Sequence, residues 1–181
     1  QAPADFDPRD GRWLIPVDYE RIGTREICFT VYGMPAPQGS KRAFRNRHTG
    51  RIHTVESSKA VAPWRQDVKH AALAEIERNH PGWRPLNGPL AVRMTFRLPR
   101  PKGHYGTGRN AASLRERAPM FPTGRPDLSK LVRSTEDALT GIVWVDDSQL
   151  VCLDVAKRYT VEGNPMGCTI EVSSLPVDVA T

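Results

Sequence analysis

RPDLSKLVRSTEDALTGIVWVDDSQ, residues 125–149, reads as a helix followed by a return of the chain. Pro126 suits helix entry because its fixed φ is already helical, and Asp127 can accept hydrogen bonds from free first-turn amides. Leu128, Leu131, Val132, Leu139 and Ile142 recur at helical spacing as a buried stripe, and Gly141 can take the left-handed position that stops the run. About thirteen helical residues rise roughly 20 Å, and the next half-dozen, if extended, return about as far. Such a return places Asp146 and Asp147 beside Asp127. Three gathered carboxylates repel one another unless protonated or neutralised, and hard oxygen donors suit Mg²⁺. The plainer reading keeps Asp127 as a helix cap and residues 146–148 as a turn before a strand.

Downstream, residues 150–159 read as a strand with Lys157 and Arg158 at its end. Residues 164–167 turn, and Met166, Cys168, Ile170 and Val172 alternate as a last strand. Upstream, residues 99–124 are rich in Pro, Gly, Arg and Lys, with a short helical possibility at 111–117. A loop this long is functional or disordered, and a basic one beside an acidic site can hold a phosphodiester. Before it, Leu90, Val92, Met94, Phe96 and Leu98 alternate with Ala91, Arg93, Thr95 and Arg97, giving a strand with one buried and one wet face. Residues 57–79 read as helical around a Trp64, Val68, Ala71, Ala72, Ile76 stripe, with a fresh start near Pro63.

Ile27, Phe29 and Val31 mark a first strand ending at Gly33. The following Pro and Gly loop opens onto Lys41, Arg42, Arg45, Arg47 and Arg51, the densest basic stretch. Arg47-His48-Thr49-Gly50 is a turn signal, so residues 43–47 and 51–55 can pair as a hairpin with a cationic side fit for a DNA backbone. A charged edge hairpin protected from aggregation is the other reading. His48 and His53 flank the turn without a partner at ligand spacing. Residues 1–25 form an extension packed partly on the body, and 174–181 a tail.

The chain has 181 residues, enough for one domain with a real core. Lys plus Arg number 26 against 20 acids, a net charge of +6 that favours polyanionic partners. No apolar run is long enough to span a bilayer, and residues 1–10 lack an apolar signal core. Cys28, Cys152 and Cys168 lack CxxC spacing and read as buried thiols, which suits the reduced cytosol. No repeat, Walker loop, GxGxxG, HExxH or nucleophile elbow occurs. Strands with one wet face, interrupted by two helices, predict an α+β fold: a small mixed or antiparallel sheet with two main helices on one face.

The order of these features resembles the RusA family of Holliday-junction resolvases. The resemblance rests on MPAPQGSKRAF (residues 34–44), on the PD helix start, internal DAL, Gly stop and DDSQ of residues 125–149, and on the last two strands. It covers roughly residues 27–172, within a domain of 26–173. It implies a homodimeric, Mg²⁺-dependent endonuclease, with Mn²⁺ able to substitute, that nicks symmetric strands of a four-way DNA junction in a bacterial or phage-infected cell. By position, Asp127 and Asp147 match metal-binding carboxylates with Asp146 as their neighbour, and Arg133 stands where the family has a lysine. Ser129 stands where the family has another aspartate. Neither Asp137 nor Asp154 reaches the site easily, and Glu136 is turned about half a revolution from Asp127. Arg133 and Lys130 would face the phosphate, while Lys41, Arg42, Arg45 and Lys157 would grip flanking DNA backbone. The rival reading is a junction-binding protein whose cleavage is weakened or lost through Ser129 and Arg133.

Overall fold

Four strands with alternating apolar residues build the main sheet of the computed structural model. It describes residues 6–7, 12–13, 23–39, 41–45, 47, 49–56, 59–161 and 163–177; for 6–7, 12–13, 41–45 and 52–56 the backbone alone is described. Strands β1 (Phe6–Asp7) and β2 (Arg12–Trp13) pair antiparallel, as do β4 (Lys41–Arg45) and β5 (Ile52–Glu56). The main sheet contains β3 (Thr24–Tyr32), β6 (Leu90–Leu98), β7 (Leu150–Tyr159) and β8 (Gly167–Ser174), in the order β3-β8-β6-β7. Only β6 and β7 run parallel; β3 with β8 and β6 with β8 are antiparallel. A parallel pair needs a crossover. Here residues 99–149 make it, and they carry the helix predicted from residue 126 onward.

Register aligns the apolar residues into rows. Ile27, Val172 and Val92 form one, Phe29, Ile170 and Met94 the next, and Val31, Cys168 and Phe96 a third. All of these are buried. Helices α1 (Val61–Asn79) and α2 (Leu128–Leu139) cover them, with Trp64, Val68, Ala72, Leu131, Ala138 and Leu139 in the same core. The other face of the sheet is polar. Arg93 there lies 2.7 Å from Asp154 and 3.7 Å from Glu171. This is the predicted α+β arrangement. The helix begins at Val61, so Pro63 falls in the first turn, where its missing N–H has no intrahelical duty.

Three local expectations change. Residues 141–145 do not extend back along α2: Gly141 N donates to Trp144 O at 2.7 Å, closing a tight turn against the buried Trp144 ring. Leu86 clamps that turn, donating to Val143 O at 2.8 Å and accepting from Val145 N at 3.1 Å. Strand β7 makes the return instead, since Lys157 near its end reaches the start of α2. Residues 111–117 are turns, not a helix; their neighbour is a 3₁₀ turn at Gly108–Asn110. The loop 99–124 is folded on itself and on β7. Arg115 N donates to His104 O at 2.9 Å, and the Arg100 guanidinium lies 4.2 Å over the Tyr159 ring. All three thiols were expected to be buried; Cys168 is, while Cys28 and Cys152, whose side chains lie on the polar face of the sheet or at its edge strand, are half-buried. Strand β3 begins at Thr24, ahead of the predicted start at Ile27, and β8 runs through Ser174, where the tail was expected to begin; residues 178–181, most of 1–22, Ser57, Ser58 and His48 lie outside the described residues.

Gly167 opens β8 at a φ of 153°, against β3, where an added Cβ would collide with the Val31 carbonyl oxygen. Backbone cannot yield there without breaking the Tyr32–Gly167 pairing. Gly167→Ala is expected to destabilise the fold by about 3 kcal/mol or more, read as a lowered urea midpoint with unchanged slope.

Candidate active site

Asp127 is the N-cap of α2, with extended φ and ψ of −68° and 135°. The expected side-chain bond to a first-turn amide is not made. Its carboxylate instead pairs with Lys130 Nζ, one turn along, at 3.0 Å. That hydrogen bond and charge, with Arg125 and Lys157 adding theirs, hold the Asp127 carboxyl below its usual range. Both side chains are more than half exposed.

A groove of about 610 Å³ runs past this carboxylate. One wall is the loop 34–39, the other Arg125, Pro126, Asp127 and Lys130. Three hydrogen bonds fix the loop to α2. Ser134 Oγ donates to Ala36 O at 2.6 Å, Gln38 N to Lys130 O at 2.9 Å, and Gln38 Nε2 to Asp137 Oδ2 at 3.2 Å. Asp137 also takes a short ion pair from Arg65 of α1. The Asp of the DAL motif is therefore a clasp between α2, α1 and the loop.

The DDSQ turn is built by a reciprocal cap. Asp146 accepts from Ser148 N at 2.9 Å, while Asp146 N donates to Gln149 Oε1 at 2.9 Å. Ser148 holds the Asp146 carboxyl below its usual range. Gln149 Nε2 then ties the turn to Leu86 O at 3.2 Å and Gly88 O at 3.0 Å. Asp147 is left exposed at the first position of the 3₁₀ turn.

Asp147 has an acidic neighbour that the helical count had set aside. Glu136 of α2 is half-buried, and its carboxyl is pushed up by burial first, then by the charges of Asp147 and Asp137, against a lowering by Arg133. Half a revolution from Asp127 is the side that faces the DDSQ turn. The structure thus brings Asp147 towards Glu136, and Asp127 towards Lys130, Arg125 and Lys157. Among the described residues no three His, Cys, Asp or Glu gather closely enough to hold a metal ion. Exposed carboxylates at Asp127, Asp146 and Asp147 nevertheless have the donor chemistry of a Mg²⁺ site, whose remaining positions water and phosphate oxygens commonly fill.

Ser129 and Arg133 are exposed on α2. Lys157 donates to Gly124 O at 2.7 Å and to Pro126 O at 2.9 Å. Lys41, Arg42 and Arg45 lie on β4, the hairpin strand, paired with Glu56, Val55 and Ile52. Glu136 was weighed from sequence and set aside, while Gln149 and Gln38 were given no role there. Gln149 had a signal, since an acid followed three residues later by Gln is the capping-box pattern.

A mixed sheet covered by two helices, with an acidic helix start beside a groove and an acidic turn after the same helix, defines the class of fold. The sequence matches the family described as Endodeoxyribonuclease RusA over residues 33–173. The chain belongs to that family. It is also similar to "Uncharacterized protein YqaN" of Bacillus subtilis (strain 168), 31% identical over 137 residues that span 75% of this chain and 89% of that protein. No helix among the described residues is long and apolar enough to cross a membrane.

Glu136 gives a testable pH dependence. The folded protein holds its proton more tightly than the unfolded chain, so its contribution to stability is full below the usual carboxylate pKa. That contribution is lost as pH rises through the raised folded value. Glu136→Gln should therefore raise the urea midpoint at about pH 7 and leave it unchanged near pH 3 to 4. Equal shifts at both pH values would mean the charge is not the cause.

Proposed function

We propose that this protein is a Mg²⁺-dependent, structure-selective endodeoxyribonuclease that resolves four-way DNA junctions by paired nicks. The observation that carries the reading is the family match across residues 33–173, which contains both the Asp127 helix start and the DDSQ turn. The exposed Asp127 carboxylate in a groove flanked by Arg125 and Lys130 supports it. So do the three basic residues, Lys41, Arg42 and Arg45, that the sequence sets along strand β4.

In this reading the exposed carboxylates of Asp127, at the start of α2, and of Asp147, with Asp146 next to it on the DDSQ turn, would hold Mg²⁺ or Mn²⁺, with water and phosphate oxygens completing the coordination. Such an ion, when bound, would supply an activated water and offset charge on the phosphate in the transition state. The chain's own groups do the rest. Lys130 is held at Asp127 in the free protein, and an arriving phosphate oxygen competes for the same ammonium. Arg133 adds a fixed positive charge on α2 that can stabilise the pentavalent phosphate but, unlike lysine, does not readily release a proton. Lys41, Arg42 and Arg45 grip flanking backbone, giving affinity that falls with salt and carries little sequence information. A homodimer with two-fold symmetry sets two such sites on opposed strands of a junction that shares the symmetry.

Nicking of a synthetic four-way junction is compared with linear duplex of matched sequence, with Mg²⁺, with Mn²⁺ and with chelator. Paired nicks on the junction alone, abolished by chelator, are the expected result. Asp127→Asn should lower the rate by about 100-fold or more while junction binding persists. Tight junction binding without nicks under either metal would establish the rival: a junction-binding protein whose Ser129 and Arg133 have removed the chemistry.

Ser129 is tested separately. Restoring a carboxylate by Ser129→Asp should raise the nicking rate most at low Mg²⁺ and least at saturation, because an added anionic ligand strengthens cation binding. A flat response across the titration would show that the serine does not limit metal loading.

A further inference from the structure

We propose that Lys157 is a positioning residue for Asp127, and not one of the side chains that grip DNA. The inference rests on the Asp127 site described under Proposed function. Sheet register places Lys157 opposite Phe96, in the row that continues through Cys168 to Val31. That row faces the helices. Alternation along β7 therefore directs this lysine inward at the sheet edge, beneath the start of α2, while its neighbour Arg158 belongs to the opposite, polar face.

Its ammonium donates to Gly124 O at 2.7 Å and to Pro126 O at 2.9 Å. These two carbonyls bracket Arg125 and lead directly into Asp127. An ammonium is a compact point donor that can serve two carbonyls converging from different directions. Anchored to a sheet strand, it fixes the residues 124–126 whose path sets where the Asp127 carboxylate stands. Two of its three N–H groups are taken up by these carbonyls, so a phosphate reaching Lys157 would meet a single remaining donor unless it displaced a carbonyl and left it unpaired near the groove. A cation spent in this way adds little to affinity for DNA.

Lys157→Met keeps the length of the stem and removes the ammonium. Three quantities are compared with wild type: kcat on the four-way junction at saturating metal, junction Kd with its salt dependence, and the backbone amide resonances of the free protein. The expected result is a fall in kcat of about tenfold or more, as misplacement of a reacting group produces. Kd and its salt slope stay within twofold of wild type, and amide shifts concentrate at Gly124, Arg125, Asp127 and Leu128. Lys41→Met serves as the contrast, expected to weaken Kd and flatten the salt slope by about one unit. Lys157 behaving like Lys41, with kcat kept and the amides of 124–128 unmoved, would overturn the proposal.

The amide arm uses neither DNA nor metal, so it stands if the wild-type protein nicks nothing. In that event the nuclease reading fails, and the positioning role of Lys157 is still decided by whether the 124–128 resonances move. Should Lys157→Met not fold, Lys157→Arg replaces it: arginine still binds phosphate but presents a planar fork. Reduced kcat with unchanged Kd supports the proposal, and unchanged kcat overturns it.

Discussion

The sheet has one apolar face that must be kept from water, and α2 is the element that both seals it and carries the first acid of the site. Sealing requires burying two hydroxyls, Ser134 and Thr135, which are fully inaccessible. Each unpaired polar group there would cost about 1 to 3 kcal/mol. Both are paired. Ser134 Oγ meets Ala36 O, while Thr135 Oγ1 bonds to Leu131 O at 3.0 Å and accepts from Trp64 Nε1 at 3.2 Å. The same bonds that satisfy the core therefore lock α2 to α1 and to the loop 34–39. Groove, helix start and core are one mechanical unit, so a packing defect under α2 moves Asp127 as well.

That coupling explains which parts of the fold were legible in the sequence. Alternation in 27–31, 90–98 and 168–172 sets which residues face the helices, and the structure keeps that order because a one-residue slip would expose every apolar side chain. The α2 stripe and the Gly141 stop are read for the same reason, with Gly141 at a φ of 79°. The path after α2 was not legible. An apolar run of four residues, Ile142 to Val145, suits an extended return or a buried turn equally, and Trp144 decided for the turn by filling the core. Once the turn closed there, Asp147 came to face Glu136.

Side-chain pairings were the least legible part of the site. Asp127 has the composition of a cap, but a lysine three residues on competes for its carboxylate, and an exposed ion pair and a cap are close in free energy. Lys157 reads as surface charge if only its nearness to Arg158 is weighed. Counting the strand alternation from Leu153 and Val155 gives it the opposite face, which is the face of the helices. Asp137 likewise looks like one more exposed acid of α2 until Arg65 and Gln38, from two other segments, are brought to it by folding.

The basic charge of the chain divides along the same line. A net +6 suggests a broad cationic surface, yet many of these cations are occupied within the fold. Arg65 serves Asp137, Arg93 serves Asp154 and Glu171, and Arg97 donates to Thr169 Oγ1 at 2.6 Å. Arg100 and Arg115 hold the loop 99–124 through the Pro119 and Tyr105 carbonyls. Exposed cations lie on several segments, Arg47, Arg51, Lys59, Lys69, Arg78 and Arg84 among them, and a further set runs up to the site: Lys102, Arg109 and Arg117 on that loop, and Arg125, Lys130 and Arg133 around the start of α2. That set lies in one continuous stretch of sequence, residues 102–133, that ends on the helix bearing Asp127. A polyanion that meets the end of that set meets Arg125 and Lys130, which line the Asp127 groove, and the distribution of the cations says more than their net sum.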